Sequence, residues 1–130
     1  MSAIGFYMFH VFQALKTGRF MEQMKESHVI RAIMKYLKSV PGCFFWKEHG
    51  GMYGTAGIPD IIACIGGRFF AFEAKTQDGK VTKLQEATIR KIRAAGGVAS
   101  VVRSVDEVRE IIEDMTVVKE NTKENYHDEL

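Results

Sequence analysis

A two-glycine step, Gly66-Gly67, lies midway between Asp60 and Glu73, and no other feature limits the fold of this chain so tightly. If Ile58–Ile65 and Arg68–Lys75 form a hairpin folded about those glycines, residues whose numbers sum to 133 face each other, and Asp60 and Glu73 are such a pair. Directly opposed residues of an antiparallel pair have Cβ atoms ~4.5 to 5.5 Å apart, where two like charges are destabilising unless something positive sits between them. A divalent cation is the economical answer, and magnesium favours a few carboxylates completed by water and phosphate oxygens. Strand side chains alternate, so Lys75 shares the face of Glu73 and brings an amine to the same place. Cation, water and amine side by side are the apparatus of phosphodiester hydrolysis.

Pro59-Asp60 followed by Glu73-Ala74-Lys75 on the next strand resembles the PD-(D/E)xK nuclease superfamily. Gly57-Ile58-Pro59-Asp60, Phe72-Glu73-Ala74-Lys75, Leu84-Gln85 and Val101-Val102-Arg103-Ser104 are similar, more narrowly, to the motifs of the VRR-NUC family, the virus-type replication-repair nucleases. The resemblance covers residues 24–115. It implies a restriction-endonuclease-like α/β fold and a magnesium or manganese ion held by Asp60, Glu73 and the Ala74 carbonyl. Glu26 joins that cluster directly or through water, and Gln85 acts beside Lys75. Small members of the family look like Holliday-junction resolvases acting as homodimers, of phage or prophage type. Larger relatives process flaps, so a flap, fork or loosely selective nicking enzyme is the alternative, and a non-catalytic DNA-binding module is the alternative from another class.

Length and composition fit a single globular domain: the chain has 130 residues, 46% hydrophobic and 26% charged. The formal net charge is only +2, so a nucleic-acid partner is argued from the site and not from overall charge. Lys80, Lys83 and Arg103 are candidate DNA contacts, as are Gly51, Tyr53 and Gly54 of the glycine-rich stretch preceding Pro59. That stretch lacks the Gly-Lys-Ser/Thr ending of a P-loop, which argues against a nucleotide cofactor. Trp46 reads as a core residue more than as a stacking one. Cys43 and Cys64 lie in apolar runs without ligand spacing and read as buried, reduced thiols, consistent with a cytoplasmic protein.

The segments are read as follows. Residues 1–23 are strongly apolar but interrupted by His10, Gln13 and Lys16, which suggests a helix docked on the domain or on a partner subunit and not a membrane span. Met21 and Met24 leave open a later start. A helical stripe from Met24 to Lys38 precedes a strand at Cys43–Lys47, then the hairpin, a helix from Thr82 to Ala95, a strand at Val98–Arg103 and a last helix capped by Ser104 and Glu107. The expected order is α-β-β-β-α-β-α around a mixed four-stranded sheet. Residues 116–130 are polar and read as a loose or partly helical tail.

Several residues carry two readings. Asp60 suits a turn as well as a metal site. Glu26 is also a favourable charge near a helix start, worth ~0.3 to 1 kcal/mol. Gln85 completes a capping box with Thr82. Arg103 either meets DNA or braces the site.

Overall fold

The computed structural model describes residues 2–49 and 56–127. The elements follow the expected order: α1 (Ala3–Leu37), β1 (Cys43–Lys47), β2 (Ile61–Ile65), β3 (Arg68–Ala74), α2 (Lys83–Ala94), β4 (Val98–Val102) and α3 (Val105–His127). The strands form one sheet in the order β1-β2-β3-β4, antiparallel except for the parallel β3–β4 pair.

Gly66 and Gly67 have φ of 56° and 79°, the left-handed pair that a two-residue hairpin turn needs to match strand twist. The register follows from them: Ile65 pairs with Arg68 and Ile61 with Phe72. β2 is shorter than expected, beginning at Ile61 instead of Ile58. Gly57 takes φ 84° and Pro59 cannot donate to a ladder, so Asp60 sits just outside the strand end.

One face of the sheet is covered by α1 and α3. Ile33, Leu37, Ile61, Phe72, Val102 and Val108 are fully buried there, each contributing ~1.5 to 3 kcal/mol relative to exposure. The other face carries α2, whose Ile89 packs on Ile62, Ala71 and Ala99. These contacts lie toward the β3–β4 side, so the β1–β2 side of that face stays open. Phe44, Trp46 and Cys64 are exposed on it. The expectations of a core tryptophan and of two buried thiols are therefore corrected, although both cysteines are free. Periodicity identifies a strand with two apolar faces, but not which part of a face a helix covers.

Residues 3–23 are not a separate element. Nothing between Ala3 and Leu37 breaks a helix, since the segment has no proline, and α1 runs unbroken for 35 residues. Its first turns do not dock on their own domain: Ile4, Phe6, Tyr7, Met8, Phe9 and Phe12 are all exposed. At the other end α3 continues past Met115 to His127 without a break. Its cap differs from the expected box, because Ser104 Oγ accepts from Glu107 N at 3.3 Å while Glu107 Oε2 accepts from Arg103 N at 2.7 Å, one residue further back. No helix among the described residues is long and apolar enough to cross a membrane.

Candidate active site

The hairpin register places Asp60 and Glu73 beside each other at the end of the sheet away from the glycine turn. Asp60 is half-buried, and its Oδ2 accepts a hydrogen bond from Ala74 N at 2.9 Å. This bond clamps the residue before β2 to the end of β3. The N–H and C=O of one extended residue point to the same side, so the Ala74 carbonyl also lies on the Asp60 side of its strand. Lys75 N, pointing oppositely, donates to Val102 O at 2.9 Å.

Glu26 reaches this point from α1. One carboxylate oxygen from each of Glu26, Asp60 and Glu73 lies within 4.8 Å of the others. Because α1 begins at Ala3, Glu26 stands far from a helix N-terminus, and the helix-start reading of its charge does not hold. The placement also follows from chain direction: α1 passes the end of the sheet at Glu26 and buries Ile30, Ile33 and Leu37 beyond it.

Glu73 and Lys75 are buried, with 2% and 7% of their surfaces exposed, and Lys75 Nζ lies 3.6 Å from Glu73 Oε1. One amine does not neutralise three acids. Burial and then the Asp60 charge push Glu73 up to about 8, against the pull of Lys75. Burial also raises Asp60, opposed chiefly by the hydrogen bond from Ala74. Glu26 is raised by burial, with Lys75 acting against it. Acids perturbed in this way favour either a shared proton or a cation, and the all-oxygen donor set suits a hard divalent ion such as magnesium or manganese.

Gln85 closes the helix cap read from the sequence and also meets an acid of the cluster. Its Oε1 accepts from Thr82 N at 3.0 Å, and Thr82 Oγ1 accepts from Gln85 N at 3.2 Å, closing the capping box of α2. Its Nε2 donates to Glu73 Oε1 at 2.7 Å. Arg103 Nη1 donates to the carbonyls of Thr76, Gln77 and Gly79, gathering the turn that follows Lys75. Lys80 and Lys83 are exposed just before α2 and at its first residue. Gly51, Tyr53 and Gly54 lie outside the described residues.

Two acids were not anticipated from the sequence. Glu22 Oε1 accepts from Thr76 Oγ1 at 2.9 Å, tying α1 to the strand end next to Lys75. The signal was present, since Glu22 precedes Glu26 by one helical repeat. Glu48 N donates to Asp60 O at 2.8 Å, extending the β1–β2 pairing to the site, and Glu48 Oε1 accepts from Trp46 Nε1 at 2.6 Å. The β1–β2 register behind this contact crosses a long connection, and no turn signal sets it.

No protein-family model and no curated protein matches the sequence. Among solved structures, one described as "VRR_NUC domain" superposes with a TM-score of 0.57 at 23% identity, covering 68% of this chain and 95% of that one. A second, "VRR_NUC domain protein", gives 0.56 at 23% identity, covering 68% of this chain and 84% of that one. The chain has the fold of these domains, as the motif resemblance implied.

Proposed function

We propose that this chain, which carries the VRR_NUC fold, belongs to that nuclease family and is a magnesium- or manganese-dependent DNA endonuclease. The observation that carries the reading is the convergence of three acids with carboxylate oxygens within 4.8 Å, beside the buried amine of Lys75. Asp60, Glu73 and the Ala74 carbonyl would hold the cation, with Glu26 ligating directly or through a water. When bound, the ion polarises the phosphate and stabilises charge developing on its oxygens.

The protein side chains do the rest. Asp60 is held in place by Ala74 N, and Glu73 by Gln85 Nε2, so neither needs to reorganise when substrate arrives. Lys75 Nζ orients a water for attack: the water oxygen bonds to phosphorus and releases a proton to solvent while one ester P–O bond breaks, its electron pair leaving on the departing oxygen, which takes up a proton from solvent. Lys80 and Lys83 contact backbone phosphates, which favours recognition of DNA shape over base sequence.

The substrate favoured is a branched DNA. A four-way Holliday junction presents two symmetry-related phosphates to cut, and the described residues of one chain supply one candidate site, so junction resolution requires a two-fold pair of chains. The exposed apolar residues at the start of α1, Ile4, Phe6, Tyr7, Met8 and Phe9, are the surface offered for that pairing. Four-way junction, flap, fork and linear duplex, incubated with magnesium and with a chelator, test the activity. Metal-dependent cutting of the junction at paired positions is the expected result. Ultracentrifugation showing only monomer would remove junction resolution and leave flap or fork nicking. Absence of metal-dependent cutting on every substrate would remove the enzymatic reading.

A further inference from the structure

The open side of the sheet continues directly from the acidic site. On the face that carries α2, the pairing lines up three successive rows: Phe44, Cys64 and Phe69; then Trp46, Ile62 and Ala71; then Glu48, Asp60 and Glu73. The last row carries Asp60 and Glu73 of the acid cluster. The first two are apolar, and nothing among the described residues covers their β1 side: Phe44 is 70% exposed, Trp46 43% and Phe69 44%. A phenylalanine and a tryptophan so exposed on a flat strand are unfavourable in water, and they stand one and two rows from the point where the phosphate is to be cut.

We propose that Trp46 and Phe44 are a stacking platform for the nucleobases flanking the cleaved phosphate, which makes branched DNA whose bases are unpaired and unstacked at that position, as at an opened branch point, the substrate class of this site. The inference rests on the nuclease reading given above. Sheet faces bearing aromatic side chains are established platforms for single-stranded nucleic acid, because every base offers a π-face whatever its sequence. Spacing supplies the rest of the argument. Residues two apart on a strand are ~6.4 to 6.8 Å apart. The Phe44 and Trp46 ring centroids are 6.0 Å apart with planes inclined at 50°. Bases stacked in a duplex step by ~3.4 Å, so two neighbouring bases cannot each lie on a ring and remain stacked on one another. Trp46 is also fixed in place, since its Nε1 donates to Glu48 Oε1, and Glu48 N in turn donates to Asp60 O. The platform is thereby joined through one residue to the acid site.

Trp46 is the sole tryptophan, so its fluorescence reports on this surface alone. The full chain is titrated with a single-stranded oligonucleotide, a fork with single-stranded arms and a blunt duplex, with calcium replacing magnesium to hold back cutting. Anisotropy of a dye on the DNA follows binding in parallel. The expected result is strong quenching of Trp46 by fork and single strand and little by duplex at equal occupancy. Trp46→Ala should weaken fork binding ~5- to 150-fold with little change for duplex, and Trp46→Phe should recover most of the loss.

Fork bound at full occupancy with unchanged Trp46 emission would overturn the proposal. So would emission that shifts with protein concentration in the absence of DNA, which would mean that a second copy of the chain covers this face. Metal-dependent cutting with a silent Trp46 removes this inference alone, whereas failure to bind or cut any DNA removes the nuclease reading and this inference with it.

Discussion

The side-chain amide of Gln85 joins Glu73 to the start of α2: Nε2 donates to Glu73 Oε1 at 2.7 Å while Oε1 accepts from Thr82 N at 3.0 Å. One residue thus caps a helix and aims an acid, and the two duties are separable by substitution. Gln85→Ala loses both, at ~0.5 to 1.5 kcal/mol for the hydrogen bond to Thr82 N and ~10- to 100-fold in metal affinity or turnover for the lost orientation. Gln85→Glu keeps the acceptor for Thr82 N but cannot donate to an ionised Glu73. Its melting temperature with metal absent should stay closer to the parent than that of Gln85→Ala, with cutting reduced in both. Thermal melts alongside single-turnover cleavage check this.

Proton linkage gives a second expectation. In the metal-free protein Glu73 titrates near 8 against an ordinary value of 4.5, chiefly because it is buried. The folded state therefore holds this proton more tightly than the unfolded chain. That contribution to stability is complete below pH 4.5 and is lost as pH rises through about 8. Melting of the metal-free protein should fall across this interval relative to Glu73→Gln, which has no such proton to lose. Added magnesium should raise the melting temperature more at the alkaline end, where no proton has to leave first.

Arg103 is expected to act on the site from behind. Its Nη1 serves the carbonyls of Thr76, Gln77 and Gly79, which follow Lys75 directly. Arg103→Ala should destabilise by ~1.5 to 3 kcal/mol, the range for a hydrogen bond to a charged group. It should also lower turnover with little change in DNA affinity. Urea unfolding and a comparison of turnover with DNA affinity test the point, and a loss confined to DNA affinity would return Arg103 to the role of a phosphate contact.

Gly57 marks where the chain turns toward Pro59 and Asp60 under α2. Its φ is 84°, and an added Cβ would come within 2.7 Å of Leu84 Cγ and 3.1 Å of Leu84 O. Gly57→Ala is expected to cost ~1 to 3 kcal/mol through strain and overpacking. Denaturant midpoints measure the loss, and an unchanged midpoint would show that α2 yields at no cost.

These residues show how far the sequence was readable. The Gly66-Gly67 turn set the register by local stereochemistry, so the meeting of Asp60 and Glu73 could be counted from residue numbers. Gln85 was readable because a capping box is local. Glu26 was reachable through helical periodicity combined with the motif resemblance, but its environment was misjudged, since no local signal tells where an uninterrupted helix begins. The exposure of Trp46 and the place of Glu48 beside Asp60 were not readable. Their positions depend on the β1–β2 register across residues 48–60 and on α2 covering only part of one sheet face. Both are long-range packing outcomes that alternation along a strand does not encode.

The most direct measurement is calorimetric titration of manganese into the protein, read beside cleavage of a branched DNA by the same preparation. Ion binding and cutting should occur together in the parent chain, and both should disappear in Asp60→Asn and in Glu73→Gln while the variants remain folded. Undiminished cutting in a chelator, or parental cutting by both variants, would contradict the assignment of these acids as the cation site.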